Sequence, residues 1–116
     1  MLKNTDQTSI DIEPLTDTVL YSFTIPSDGI YYIVASITAT TKEDGKYLIF
    51  HMTEINPSTL AKTWSPIEIC DTGSLTRMVG SCIKPYDEGT ILKLEARTSN
   101  SNTLQTKYRF SIVKLV

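Results

Sequence analysis

Apolar and polar residues alternate along this chain in short runs of period two, separated by turn residues. In Thr18 to Ile25, Val19, Tyr21, Phe23 and Ile25 share one side against Thr18, Leu20, Ser22 and Thr24, which predicts a strand with one face in a core. Pro26-Ser27-Asp28-Gly29 then reads as a tight turn. Pro26 sets φ at its first position, Asp28 can bond its own backbone, and Gly29 tolerates a positive φ. Ile30 to Thr40 is a strand apolar on both sides, with Ile30, Tyr32 and Val34 opposite Tyr31, Ile33 and Ala35. The doubling recurs in Lys46 to Thr53, where Leu48, Phe50 and Met52 oppose Tyr47, Ile49 and His51. In Thr90 to Thr98, Leu92, Leu94 and Ala96 face in, and Lys93, Glu95 and Arg97 face out.

The remaining segments fill in a pattern of seven or eight strands. Ser9 to Glu13 is a weak edge strand stopped by Pro14. Lys42-Glu43-Asp44-Gly45 reads as a hairpin turn. Pro66 to Cys70 is a short strand, Ser74 to Ile83 another with Gly80 marking a bulge or close approach, and Gln105 to Val116 the last. Residues 54–65 form a polar crossover loop and 99–103 a polar tip. Residues 1–8 read as a flexible N-terminal arm, and 9–116 as one domain. No stretch keeps a 3.6-residue period for three turns, so the expected class is all-β, and the strand number and spacing are those of an antiparallel β-sandwich or jelly roll. Tyr21, Phe23, Phe50, Leu92, Leu94 and Phe110 are its expected core residues.

Composition supports this and narrows function. Ser and Thr supply about a quarter of the 116 residues, and β-branched and aromatic side chains dominate the apolar ones. The net charge of −2 is spread along the chain, with no basic stripe for a nucleic-acid backbone and no Lys/Arg block for an anionic membrane. The longest apolar run, Ile30 to Ala35, is far short of the roughly 20 residues of a membrane span. Neither nucleic acid nor membrane insertion is expected.

Candidate chemistry is sparse. The lone histidine, His51, has no nucleophile and acid at suggestive spacing, so it reads as a core or interface residue and no enzymatic activity is expected. Cys70 and Cys82 lie on segments that could pair across one hairpin; a disulfide is possible, and two reduced, half-buried thiols are the expectation. With one histidine and two cysteines, a zinc site is disfavoured. The acidic turns Glu43-Asp44 and Asp87-Glu88 could offer oxygens to calcium, but solvated turns are commoner, and no cofactor or metal is expected. Trp64, at the end of the polar loop, either presents its ring to a sugar or partner or folds back over the end of the sandwich.

Several motifs, taken in order, resemble the jelly-roll family of the complement-type globular head and tumour necrosis factor. Phe23-Thr24-Ile25-Pro26 followed by Gly29-Ile30-Tyr31-Tyr32-Ile33 resembles the family's phenylalanine–x–valine–proline and glycine–x–tyrosine–x–phenylalanine. Asp87-Glu88-Gly89-Thr90-Ile91-Leu92-Lys93-Leu94 is similar to its turn-and-strand motif, and Phe110 to Leu115 to its final core strand. Ile33 in place of an aromatic, Thr90 in place of an aspartate and Ile112 in place of a glycine are departures. The resemblance covers residues 18–116 and implies a homotrimer around a three-fold axis, recognising a partner at its outer loops, commonly on a fibrous stalk. Met1 to Gln7 lacks the apolar core of a secretion signal, and Asn56-Pro57-Ser58 is blocked as a glycosylation site, which leans towards a phage, viral or bacterial surface fibre.

Two functional expectations follow. The first is a trimeric recognition head whose interface uses the second apolar faces, through Tyr31, Ile33, Tyr47, Ile49 and His51. Its cell-surface glycan or protein receptor would meet the outer loops at Asn56, Lys62, Trp64, Asn100 and Asn102. The second is a monomeric carbohydrate-binding module with an aromatic platform on one sheet face.

Overall fold

Each segment of strong alternation becomes a hydrogen-bonded strand in the computed structural model, which describes residues 3–5, 7–39, 42–73 and 76–116 without the side chains of Trp64, Pro66 and Thr76. Nine strands form among these residues: β1 Lys3–Asn4, β2 Thr8–Ile12, β3 Thr18–Thr24, β4 Gly29–Ala39, β5 Leu48–Ile55, β6 Lys62–Asp71, β7 Thr76–Tyr86, β8 Ile91–Thr98 and β9 Leu104–Lys114. The expected strand ends at Thr40 and Ser74 lie outside the described residues. One sheet runs β1–β9–β4–β7, with β2 also on β9; the other runs β3–β8–β5–β6. All pairings are antiparallel. Apart from β1–β2, which follow one another along β9, and the β5–β6 hairpin, each connection passes from one sheet to the other. That winding makes the two-sheet sandwich a jelly roll.

The topology corrects several local readings. The turn at Lys42–Gly45 is real, with Gly45 at φ 81° and Lys46 N–H donating to the Glu43 carbonyl, but it is no hairpin. Its flanking strands β4 and β5 belong to different sheets. For the same reason Cys70 on β6 and Cys82 on β7 do not share a hairpin; both are free thiols, one exposed and one half-buried. Gly29 opens β4 opposite Tyr86 instead of supplying a positive φ to the turn. Its hydrogen is needed for space, since a Cβ there would come within 2.5 Å of the Val116 carbonyl oxygen. Asp28 accepts from the Glu88 N–H, at 2.7 Å, and so ties two turns together. Within the stretch 1–8, Lys3 and Asn4 pair with Ile112 and Ser111.

Burial follows the pleat. On β4 the odd residues Tyr31, Ile33, Ala35, Ile37 and Ala39 are wholly buried between the sheets. They meet Tyr108, Phe110 and Ile112 from β9 on their own sheet, and Phe50, Met52, Leu92 and Leu94 from the facing sheet. Tyr21 and Phe23 are half-buried, their rings 5.1 and 6.1 Å from that of Phe110. A bulge between Val19 and Tyr21 breaks the alternation of β3, so Leu20 turns in and Val19 turns out, contrary to the simple period-two reading. Gly80 marks a close approach of the sheets, since a Cβ there would stand 2.8 Å from Cγ2 of Ile67 on β6.

Leu94, central on β8 and 1% exposed, measures the core directly. Leu94→Ala is expected to cost about 2–5 kcal/mol in urea unfolding. A loss of only a few tenths would mean that this face of β8 is not packed.

Candidate functional site

Because the odd side of β4 is core, the even side is the outer face of its sheet. Across it, Tyr32 stands between Ile83 on β7 and Val113 on β9, with Ile30 beside Pro85 one step away. Further along, Val34 lies between Ser81 and Ser111, Ser36 between Val79 and Arg109, and Thr38 between Arg77 and Lys107. Ile30 is 38% exposed, Tyr32 40%, Val79 54% and Ile83 64%, while Val34 and Val113 are half-buried. This end of the face is an apolar surface; the other is basic and hydroxyl-rich. The basic end also opens into a hollow of about 550 Å³, lined by Gln7, Ser9, Asp11, Thr38, Gln105, Thr106 and Lys107.

The expected interface residues lie elsewhere. Tyr31 and Ile33 belong to the core of the chain itself, and the Tyr31 hydroxyl donates to the Ser27 carbonyl at 2.6 Å. Tyr47, Ile49 and His51 belong to the opposite sheet or its edge. A single surface cannot contain all five. The distinction was readable: extended to residue 39, the odd side runs apolar without a break, while the even side ends in Ser36 and Thr38. The uninterrupted set is the core.

The expected ligand residues also separate. Since β5 pairs Ile55 with Ile91 and Leu48 with Thr98, the 56–61 loop and the 99–103 tip sit at opposite ends of the sandwich. Asn56 is a turn cap, its Oδ1 accepting from the N–H groups of Ser58 and Thr59. Asn100 is buried and joins two loops, accepting from Glu43 N–H at 2.8 Å and donating to the Asn102 carbonyl. Glu43 in turn accepts from the Ser101 N–H and hydroxyl, so this acidic turn has a structural role. Among the described residues no cluster of three or more His, Cys, Asp or Glu side chains could hold a metal ion. Asn102 is exposed at the tip. Lys62 and Trp64 belong to β6, where Trp64 pairs with Thr53; the Trp64 side chain lies outside the described residues. Sequence reading missed Leu60, a 71% exposed apolar side chain held in a left-handed conformation at φ 60° within the 56–61 loop. Such backbone costs about 1–2 kcal/mol for a residue with a Cβ. A leucine inside a run of Asn, Pro, Ser, Thr and Lys was the available signal.

Two polar clusters complete the inventory. Glu54 of β5 reaches across to the other sheet, bonding Lys84 Nζ through one oxygen and the Tyr86 hydroxyl through the other, each at 2.5 Å. Burial, then Glu54 as acceptor, raises Tyr86 well above its ordinary value and keeps it a neutral donor. Burial also pushes the neighbouring Cys82 thiol up, disfavouring the reactive thiolate. The second cluster is on the outer face of the β3–β8–β5–β6 sheet. There Glu95, only 5% exposed, accepts from Thr53 at 2.8 Å, with Lys62 at 3.3 Å and His51 Nε2 at 3.7 Å from the same oxygen. His51, Thr53 and Glu95 are all buried.

No protein-family model matches the sequence, and no curated protein matches it either. Solved structures do match in fold. Eiger, a tumour necrosis factor from S. frugiperda, superposes with a TM-score of 0.67 at 8% identity, over 93% of this chain and 85% of that one. Murine APRIL gives 0.57 at 9% identity, over 95% of this chain and 100% of that one. A chain of infectious bursal disease virus, Gt strain, gives 0.61 at 16% identity, over 95% of this chain but 31% of its own length. The fold is therefore a jelly roll of the tumour necrosis factor kind, as the sequence motifs implied.

The buried His51 makes stability depend on pH. Burial holds the imidazole below its ordinary value of 6.5, aided by Lys62 and opposed by Glu95, Asp17 and Glu68. The unfolded chain then binds the proton more readily than the folded one, so His51 has no effect above about pH 6.5 and destabilises as pH falls below it. Urea unfolding at about pH 7.5 and pH 5.5 should show a smaller acid loss in His51→Gln than in the unmodified chain. Equal losses would assign the effect to other groups.

Proposed function

We propose that this chain is a non-enzymatic structural and recognition module, a head that assembles as a homotrimer through the outer face of the β1–β9–β4–β7 sheet. The observation that carries the reading is the exposed group Ile30, Tyr32, Val79 and Ile83 on one sheet face. Burying a large apolar side chain stabilises by about 1.5–3 kcal/mol, so a few per copy offset the entropy of association. The flanking Val34 and Val113 extend the same surface. Two-fold assemblies are commoner among proteins in general, so the choice of three rests on the tumour necrosis factor resemblance.

Recognition of a receptor or surface glycan is assigned to the loops, which the rigid sandwich holds apart at its two ends. At one end Leu60 is the exposed anchor; at the other, Asn102 stands on the tip braced by Glu43 and Asn100. The likeness to part of an infectious bursal disease virus chain supports a viral setting, with the module as one piece of a larger surface structure. The alternative, a monomeric sugar platform, needs several aromatic rings on one open face. Tyr32 is the one aromatic on this face among the described residues, because the pleat turns Tyr31 inward. That disfavours it.

Light scattering at micromolar concentration should give three times the chain mass. Tyr32→Glu should dissociate the assembly, since each copy would bring a carboxylate to a dry interface. Tyr31→Phe, altered in the core alone, should leave the mass unchanged. A monomeric mass for the unmodified chain would overturn the reading.

A further inference from the structure

The basic end of the same sheet face is unbalanced in a way that assembly would magnify. Lys107 and Arg77 flank Thr38 on either side, so their Cα atoms are about 10 Å apart across two strand spacings. Arg109 is two residues along β9 from Lys107 on the same face, about 7 Å away. All three side chains are exposed, and no ion pair involves any of them among the described residues. Among the described residues the nearby carboxylate is Asp11 on β2, opposite Gln105 and one step beyond the Ser9–Lys107 pair. Hydroxyls surround the cations, with Ser9 and Thr38 on either side of Lys107 and the 550 Å³ hollow opening between them. Bringing several copies together through this face concentrates like charge in a space that loses water, which opposes assembly unless negative charge enters.

We infer that inorganic sulfate or phosphate binds between copies of the chain at this end of the face, held by Arg77, Lys107 and Arg109. A tetrahedral oxyanion accepts from several guanidinium and ammonium donors at once, and charge-assisted bonds of that kind are the strong ones. The hollow is lined by Lys107 with the hydroxyls of Ser9 and Thr38, the amides of Gln7 and Gln105 and the carboxylate of Asp11; Arg77 and Arg109 stand beside it on the same face. Aromatic rings are confined to the Tyr32 end of the face, so the basic end offers nothing for stacked bases and favours a compact anion. The anion then acts as a ligand of the assembled state alone, and its concentration sets how readily the copies come together.

The inference rests on the assembly proposed above, and the test separates the two. Light scattering across a dilution series is run in sodium chloride and in sodium sulfate at equal ionic strength. Sulfate is expected to lower the concentration of half-dissociation by about tenfold. The double variant Lys107→Ala, Arg109→Ala should still assemble but lose that difference. Titration calorimetry of sulfate into the assembled protein gives a second readout, with heat expected for the unmodified chain and none for the double variant. Equal half-dissociation in both salts, with no heat of sulfate binding, would overturn the anion site and leave the assembly standing. Weakening by Asp11→Asn equally in both salts would also overturn it, by showing that a neighbour's carboxylate balances the cations. A monomer in both salts would remove both.

Discussion

Strand β4 is hydrogen-bonded along both edges, to β7 and to β9, and the rest of the sandwich depends on its pleat. With both edges paired, its side chains can leave only above or below the sheet, and neighbours in sequence must take opposite sides. A slip of one residue would exchange Tyr31, Ile33, Ala35, Ile37 and Ala39 for Ile30, Tyr32, Val34, Ser36 and Thr38. Two hydroxyls would then be buried opposite Phe110 and Leu94 without assured partners. The Tyr31 hydroxyl also donates to the Ser27 carbonyl, tying the strand to the turn that precedes it.

The two sheets are joined differently along their length. Near the middle of the β6–β7 edge the contact is steric, Gly80 leaving room for Ile67. Towards the turn at Asp87–Thr90 it is ionic, Glu54 bonding across to Lys84 and Tyr86. A buried carboxylate is costly unless its oxygens are bonded, and here both are. Replacing Glu54 by an apolar residue leaves the buried Tyr86 hydroxyl without this acceptor, a larger disturbance than losing a surface ion pair.

Much of this architecture was legible in the sequence, because alternation and turn chemistry are local. Thr18 to Thr24, Gly29 to Ala39 and Ile91 to Thr98 declare themselves by period two. The motifs around Phe23-Thr24-Ile25-Pro26 and Asp87-Glu88-Gly89 indicated the jelly roll before any pairing was known. The functional surface was less legible, for two physical reasons. A strand apolar on both sides does not say which side is core until the whole strand is compared, so Tyr31 and Ile33 were assigned outward. Charge patterning is also a property of the folded sheet. Arg77, Lys107 and Arg109 are scattered in sequence, and antiparallel pairing through Thr38 and Ser36 brings them together. The pairing of β5 with β8 carries Asn56 and Asn100 to opposite ends, which no loop composition could foretell.

The alternation of successive strands between the two sheets also governs how the chain reaches its native state. Among the described strands, only β5 and β6 are neighbours in sequence that pair as a hairpin within one sheet; β4 must wait for β7 and for β9, both far along the sequence. Loop-closure entropy precedes most of the stabilising contacts, which places such folds among the slower ones, on the order of milliseconds to seconds. During that interval β4 has two unpaired edges as well as two apolar faces. Newly made chains are therefore at greatest risk of mispairing until β9 has been made and has docked against β4.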